Sequence, residues 1–576
     1  MLVSDFHRVR GRLLLMTVLF CMAFFVIVYR LYMWTIPSFL QKNVMNQADA
    51  GKDYSSTDDH NNAKKPVVFP VRRKDITDRH GISLATTIKT YALYIDPKKS
   101  INPQKILNKL HLLFPDLDYA QLEKKINGKS HVAIKRPITP YEAQKSHDLG
   151  FPSLYHRVRY DRVYPVGSIA SHILGGVTID GIGIAGVEAF LDKEIRDIKG
   201  KDSLALTIDI SIQYALHEEL QRALVKYSTI GAVAILLNVH SGEILGMVSL
   251  PDFDPNHRPI YATNVPLEQR ATMNRSVQGR YEFGSVFKTF TWAQAYDQGF
   301  AQIDEIFTLP QKLSVEEISI GEFYHPGRYV TFQQGLEKSS NILSAQLADR
   351  IGGQRQPKFL ENLGFMERVD VELVEAAGTM VPKKWRKSTV ATVSFGHGIA
   401  ITPLHLLTAY GSVVNGGVRI SPTLILRDSN TTKKRSRYQT TQSQKKNLRE
   451  KNKPDLQRII ASSTSSVVRE LLSGVVERGT ARKVKIPGYK LGGKTGTADK
   501  PNPELGGYYS DRVIASFVAI FPVDDPEYAM LVMLDEPSID INGTVTRTAS
   551  ATAVPVARSI LMRIMPLLNI IPNNQP

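Results

Sequence analysis

The stretch Tyr281-Glu282-Phe283-Gly284-Ser285-Val286-Phe287-Lys288-Thr289-Phe290 decides how the rest of the chain is read. It contains Ser-x-x-Lys, with Gly284 just before the serine and apolar residues filling the gap. A serine hydroxyl is a poor nucleophile at neutral pH until a base removes its proton. A lysine three residues on shares the serine's helical face and is placed to take it. The amine must first shed its own charge, and burial beside other cationic groups lowers its pKa enough for that. Ser-x-x-Lys also recurs by chance, so Ser285 and Lys288 gain weight only from partners further along.

Two such partners follow. Ser339-Ser340-Asn341 heads the apolar-periodic run Ile342, Leu343, Ala345, Leu347 and reads as Ser-x-Asn. Lys494-Thr495-Gly496-Thr497 comes after Gly492-Gly493 and a stretch from Val484 to Leu491 that reads as extended. Singly, each has an ordinary meaning: a helix N-cap serine, and a glycine-rich turn with an exposed lysine. In the order Ser-x-x-Lys, Ser-x-Asn, Lys-Thr-Gly they resemble the motif set of penicillin-binding proteins and serine β-lactamases.

At 576 residues the chain has room for two or three domains. A hydrophobic content of 43% and a charged content of 22% suit globular modules. The net charge of +17 points to anionic surroundings: nucleic acid, phospholipid or an acidic wall polymer. No zinc-finger spacing, aromatic RNA-binding motif or P-loop supports nucleic acid, so no such partner is expected. No His/Cys/Asp cluster has ligand spacing, so neither a metal nor a cofactor is expected. The single cysteine, Cys21, excludes a disulfide scaffold without fixing the compartment.

From the N-terminus, residues 1–12 carry Arg8, Arg10 and Arg12, and the run Leu13 to Tyr29 has no charge. Those seventeen residues span about 26 Å, just short of a bilayer core. Continuing to Trp34 makes a transmembrane helix over 13–34, with Arg30 snorkelling beside Tyr29, Tyr32 and Trp34. A cleaved signal peptide is the rival reading, but no small-x-small site follows. The arginines place the N-terminus in the cytoplasm and the remainder outside. Residues 35–66 read as a flexible tether, polar from about Gln41. Order resumes at Val67, and residues 101–150 read as lysine-rich helices with short turns. Tyr160 to Pro165 and Gly183 to Glu188 read as loops and a helix start. Leu204 to Asp209 reads as a strand, followed by a helix from Ile212 to Tyr227. Strands are expected at Ile230 to Asn238, Ile244 to Ser249, Val513 to Ile520 and Tyr528 to Leu534, with helices between the serine and about Asn415. A sheet built from both ends of a domain with helices between is an α+β architecture. The stretch 428–455 is basic and nearly devoid of apolar residues: a disordered insertion, or a contact for anionic lipid or wall polymer.

With the motifs placed, the chain resembles the class B penicillin-binding proteins, and within them the septal D,D-transpeptidases of the FtsI (penicillin-binding protein 3) type. The resemblance runs from the N-terminal anchor to about Pro566. Arg73, Ile76, Asp78, Arg79, Gly81, Leu84 and Ala85 match an Arg-Gly-x-Ile-x-Asp-Arg-x-Gly-x-x-Leu-Ala pattern, with Lys74 in place of the glycine. Phe283-Gly284-Ser285 stands where the family usually has Pro-Gly-Ser, which implies altered packing and retained chemistry. Asp254-Pro255-Asn256, Ser394 to Ile399 and Thr402-Pro403-Leu404 also look like family signatures, with His397 a pocket-wall residue. Glu477-Arg478-Gly479-Thr480-Ala481 and the overall length favour the division type over the elongation type.

The resemblance implies a non-catalytic pedestal or dimerisation domain over 67–202, a transpeptidase domain over 203–566 and a tail over 567–576. Its roles map onto matched positions. Ser285 attacks the penultimate D-Ala carbonyl of a stem peptide and Lys288 takes its proton. Backbone N–H groups of Ser285 and Thr497 form the oxyanion hole. Lys494, Thr495, Gly496 and Thr497 hold the terminal carboxylate. Ser339 relays a proton to the leaving amine, and Asn341 positions the peptide amide. Stem peptides, β-lactams, a separate glycosyltransferase and other division proteins are the implied partners, in the periplasm beside the inner membrane. A D,D-carboxypeptidase, an elongation-type enzyme and a non-enzymatic sensor or scaffold stay open; a β-lactamase lacks its glutamate motif here.

Overall fold

The computed structural model of the chain describes residues 72–128, 131–196, 203–427 and 457–572. The expected span 13–34, tether 35–66 and insertion 428–455 lie outside the described residues. No described helix is long and apolar enough to cross a membrane.

The N-terminal module is built on one long strand. β1 (Asp75–Thr77) leads into β2 (Ser83–Ile95), followed by α1 (Pro103–Leu113), α2 (Tyr119–Ile126), β3 (Val132–Ile138), α3 (Pro140–Asp148) and β4 (Leu154–Val163). β2 pairs antiparallel with β1, β3 and β4, and β1 pairs parallel with β5 (Ser203–Ala205) where the chain returns. The helices begin where side chains satisfy their free N–H groups. Asn102 accepts from the Lys105 amide, Asp118 from the Gln121 amide, and Thr139 with Glu142 forms a capping box. Ile106, Leu107, Leu110, Leu122 and Ile126 then pack on Leu93, Ile95, Ile134 and Ile138.

A buried ion-pair network ties the start of this module to its end. Arg73 donates to Glu188 Oε2 at 2.9 and 2.6 Å and to Asp192 Oδ1 at 2.5 Å, while Arg162 donates to Glu188 Oε1 at 2.6 Å. Asp78, fully buried, accepts from the amides of His80 and Ile82 and so closes the turn between β1 and β2. Lys74, the departure from the family pattern, has no positive φ and needs no glycine. Its amide and carbonyl bond Ile195 and Arg162.

The local readings here need three corrections. Residues 132–138 form a strand inside the region read as helical, because pairing with β2 overrides the weak local preference. Tyr160 to Val163 belongs to β4, and Gly183–Ala185 is a short strand paired with Gly176–Val177. Leu204 to Asp209 is not one strand: β5 stops at Ala205, and Asp209 turns to cap α4 (Ile210–Lys226), accepting from Ser211 and Ile212.

In the C-terminal module the sheet comes from both ends of the sequence. β6 (Gly231–Asn238) and β7 (Ile244–Leu250) precede α5 (Lys288–Asp297), α6 (Phe332–Glu337), α7 (Asn341–Ile351), α8 (Lys387–Val393), α9 (Pro403–Val414) and α10 (Ser462–Glu477). Then come β8 (Gly492–Pro501), β9 (Tyr508–Phe521), β10 (Tyr528–Asp535) and α11 (Ala553–Leu567). The strand order is β8-β9-β10-β6-β7, antiparallel throughout. β6 alternates between two cores, Val233, Ile235 and Leu237 on one face and Ala232, Ala234 and Leu236 on the other. The first core is shared with Leu404, Leu407 and Tyr410 of α9, the second with Leu216 of α4 and Ile560 of α11. A sheet covered on both faces explains the unbroken apolar runs. Val484 to Leu491 is not extended: a single 3₁₀ turn, Arg482–Val484, and a tight turn precede β8. The two modules belong to one unit, Val68–Pro576.

Candidate active site

Gly284–Phe287 forms one 3₁₀ turn that runs directly into α5, so Ser285 stands at the helix entrance and Lys288 at its first position. Gly284 has φ +54°, in the left-handed region that glycine enters without strain. Two other glycines let backbone press on this turn. A Cβ on Gly396 would sit 2.2 Å from the Gly284 carbonyl, and one on Gly496 would sit 2.3 Å from the Phe283 carbonyl. Phe283, in the place of the family's proline, is buried in the core against Tyr281. Ser285 is half-buried, and among the described residues no hydrogen bond engages its hydroxyl.

Lys288 is fully buried and points to the Ser-x-Asn segment. Its Nζ donates to Ser339 Oγ at 3.2 Å, to the Ser339 carbonyl, and to Asn341 Oδ1 at 2.7 Å. From the other side, Lys494 Nζ donates to the same Ser339 Oγ at 2.9 Å. Ser339 thus bridges two buried lysines, and it does so in a left-handed conformation, φ +60°, unusual for a non-glycine residue. The helix cap read into this motif exists, but it is Ser340, whose hydroxyl accepts from the Leu343 amide. Burial lowers the Lys288 pKa to about 7, with Glu322 opposing the shift. Burial, with the Lys288 charge second, also pushes Lys494 well down.

The Lys-Thr-Gly motif lies in β8, an outer strand of the sheet, and not in a turn. Lys494 is buried, Thr495 nearly so, and Thr497 exposed. Thr495 Oγ1 lies 2.7 Å from Thr480 Oγ1, and Thr497 Oγ1 accepts from the Ala549 amide at 3.0 Å. His397 forms a wall of the site between Phe395 and Tyr508. Its pKa is lowered by burial and then by Lys288, and its buried Nδ1 has no hydrogen-bond partner among the described residues. Among the described residues, no group of three or more His, Cys, Asp or Glu could hold a metal ion.

Four positions that touch the site's residues escaped the motifs. Glu282 accepts from the Gly398 amide and the Tyr508 hydroxyl, both at 3.0 Å, and burial raises its pKa. Thr480 reaches Thr495, and Glu322 caps α7. Glu282 and Thr480 lie inside stretches the sequence singles out; Glu322 and Tyr508 carry no local signal.

A serine at a helix entrance, backed by two lysines bridged through a second serine, defines an acyl-transfer site of the serine penicillin-recognising class. Residues 232–562 match the family described as "Penicillin binding protein transpeptidase domain", and residues 69–209 match "Penicillin-binding Protein dimerisation domain". The chain belongs to the penicillin-binding protein transpeptidases. It is 34% identical over 507 residues to the "Probable peptidoglycan D,D-transpeptidase FtsI" of Caulobacter vibrioides, covering 86% of this chain and 82% of that protein. "Stage V sporulation protein D" of Bacillus subtilis is 28% identical, over 88% of this chain and 79% of that one. The fold resembles penicillin-binding protein 3 of Mycobacterium tuberculosis, solved with aztreonam, at TM-score 0.65 and 24% identity, covering 88% of this chain and 98% of that one.

Proposed function

We propose that this chain is a D,D-transpeptidase that crosslinks peptidoglycan stem peptides at the division septum through an acyl-enzyme on Ser285. The observation that carries the reading is the bridge Lys288–Ser339–Lys494 beside an unengaged serine hydroxyl. With its pKa lowered to about 7, Lys288 is in good part the free amine at neutral pH. It leaves its Ser339 and Asn341 partners to take the Ser285 proton as the hydroxyl attacks the penultimate D-Ala carbonyl. Backbone N–H groups of Ser285 and Thr497 stabilise the developing oxyanion, each worth about 3 kcal/mol. The terminal carboxylate is held by Lys494, Thr495 and Thr497, with Gly496 letting the strand approach; its negative charge favours the ammonium form of Lys494. Ser339, between the two amines, relays the proton to the departing D-Ala. Asn341 orients the peptide amide. The amine of a second stem peptide then resolves the acyl-enzyme and closes the crosslink.

β-Lactams enter the same site and acylate Ser285. Residues 13–34 anchor the chain in the inner membrane, with the N-terminus cytoplasmic and the catalytic module periplasmic. The chain works with a separate glycosyltransferase and other division proteins. Incubation with a peptide ending in D-Ala-D-Ala and a free D-amino acid tests the acyl-transfer reading. Exchange of the terminal residue is expected from the native protein and absent from Ser285→Ala; equal exchange by both overturns it.

A further inference from the structure

We infer that Glu322 is a positioning residue for the acylation assigned above to Ser285: its carboxylate clamps the start of α7 so that Ser339 and Asn341 face Lys288, and it brings negative charge into that amine's surroundings. The inference rests on the acyl-transfer reading of the site and deepens it.

Three consecutive residues are gripped by this one side chain. Ser340 donates its hydroxyl to Glu322 Oε1, the Asn341 amide donates to Oε2 at 2.8 Å, and the Ile342 amide donates to Oε1 at 3.1 Å. These amides open an eleven-residue helix, where a carboxylate meets unpaired N–H groups and the positive end of the dipole. The preceding residue completes the grip. The Gly321 carbonyl accepts from Asn341 Nδ2 at 3.1 Å, which turns Oδ1 toward Lys288 Nζ at 2.7 Å. Ser339 keeps its left-handed φ immediately before this clamp. Seventeen residues of chain lie between Glu322 and Ser340, so the contact is made by tertiary closure and not by local cap geometry.

The charges facing Lys288 make the second part specific. Lys494 of β8 approaches through Ser339 Oγ, and His397 stands in the segment after α8. Both are neutral or positive, whereas Glu322 is negative and favours the Lys288 ammonium. Removing that charge therefore lowers the pH at which Lys288 becomes a free base. Removing the side chain also loosens Ser339 and Asn341.

The test is the rate of acylation by a fluorescent penicillin as a function of pH, for the native protein, Glu322→Gln, Glu322→Ala and Ser285→Ala. In Glu322→Gln the acidic limb is expected to move to lower pH by at least about half a unit. Glu322→Ala is expected also to lose at least about tenfold in plateau rate. A limb that stays at the native pH in Glu322→Gln, or an unchanged plateau in Glu322→Ala, overturns the inference. A native protein that is not labelled at Ser285 instead overturns the acyl-transfer reading itself.

Discussion

Lys288 and Lys494 are both buried at 0% exposure, and the chemistry follows from what that burial does to two amines sharing one hydroxyl. A lysine with its ordinary pKa of 10.5 would be a base only in strongly alkaline solution; burial brings Lys288 to about 7. Acylation should therefore rise about tenfold per pH unit below 7 and level off above it. Stopped-flow acylation across pH 5–9 checks this, and a rate still climbing steeply at pH 9 would contradict it. The same shift bears on stability. Between about 7 and 10.5 the unfolded lysine holds a proton that the folded one does not, so this group's contribution to stability grows as pH rises through that window. Lys494 has a different proposed task, that of meeting the substrate carboxylate. Lys494→Ala should slow penicillin acylation at least about tenfold while the melting curve holds, and acylation at the native rate would remove it from the site.

Close backbone contacts bring three elements together at the site: β8, the turn before α5, and the segment after α8. Gly496 is where β8 meets the Phe283 carbonyl, with 2.3 Å available to a Cβ. Gly496→Ala should cost about 1–3 kcal/mol and depress penicillin labelling, read by melting and by fluorescent labelling. Native values for both would mean the strand does not press on the turn. The three motifs were legible because each keeps its residue types at fixed local spacing, and β6, β7, β9 and β10 because burial on both faces leaves unbroken apolar runs such as Ile235-Leu236-Leu237; β8 read as a turn. Elements decided by pairing were not legible. Val132–Ile138 carries lysine, arginine and proline and becomes a strand only against β2. Glu322 and Tyr508 were invisible for the same reason, since their partners lie far along the chain. Ser-x-Asn was legible as a motif, but not that Ser340 caps the helix while Ser339 turns to the lysines.

On the scale of the whole molecule, the catalytic module is joined to a second module by the returning strand β5 and by Glu375, which accepts from the Gly186 amide. The proposed anchor lies before both. Arg8, Arg10 and Arg12 precede an uncharged run, so full-length protein should sediment with membranes and keep its first residues. A mature N-terminus near residue 35 would contradict that. The central claim concerns Ser285 and the fate of its acyl-enzyme. In the proposed mechanism, a β-lactam carboxylate placed by Lys494 and Thr495 leaves the strained amide before Ser285. The ring-opened fragment then stays tethered and blocks the incoming amine. Water has no base in the β-lactamase glutamate pattern to drive deacylation. Intact-protein mass spectrometry after mixing with benzylpenicillin is the most direct measurement. One added drug mass on Ser285, stable for many minutes and absent from Ser285→Ala, is the expected result; rapid loss of the adduct with continuing drug hydrolysis would contradict the account.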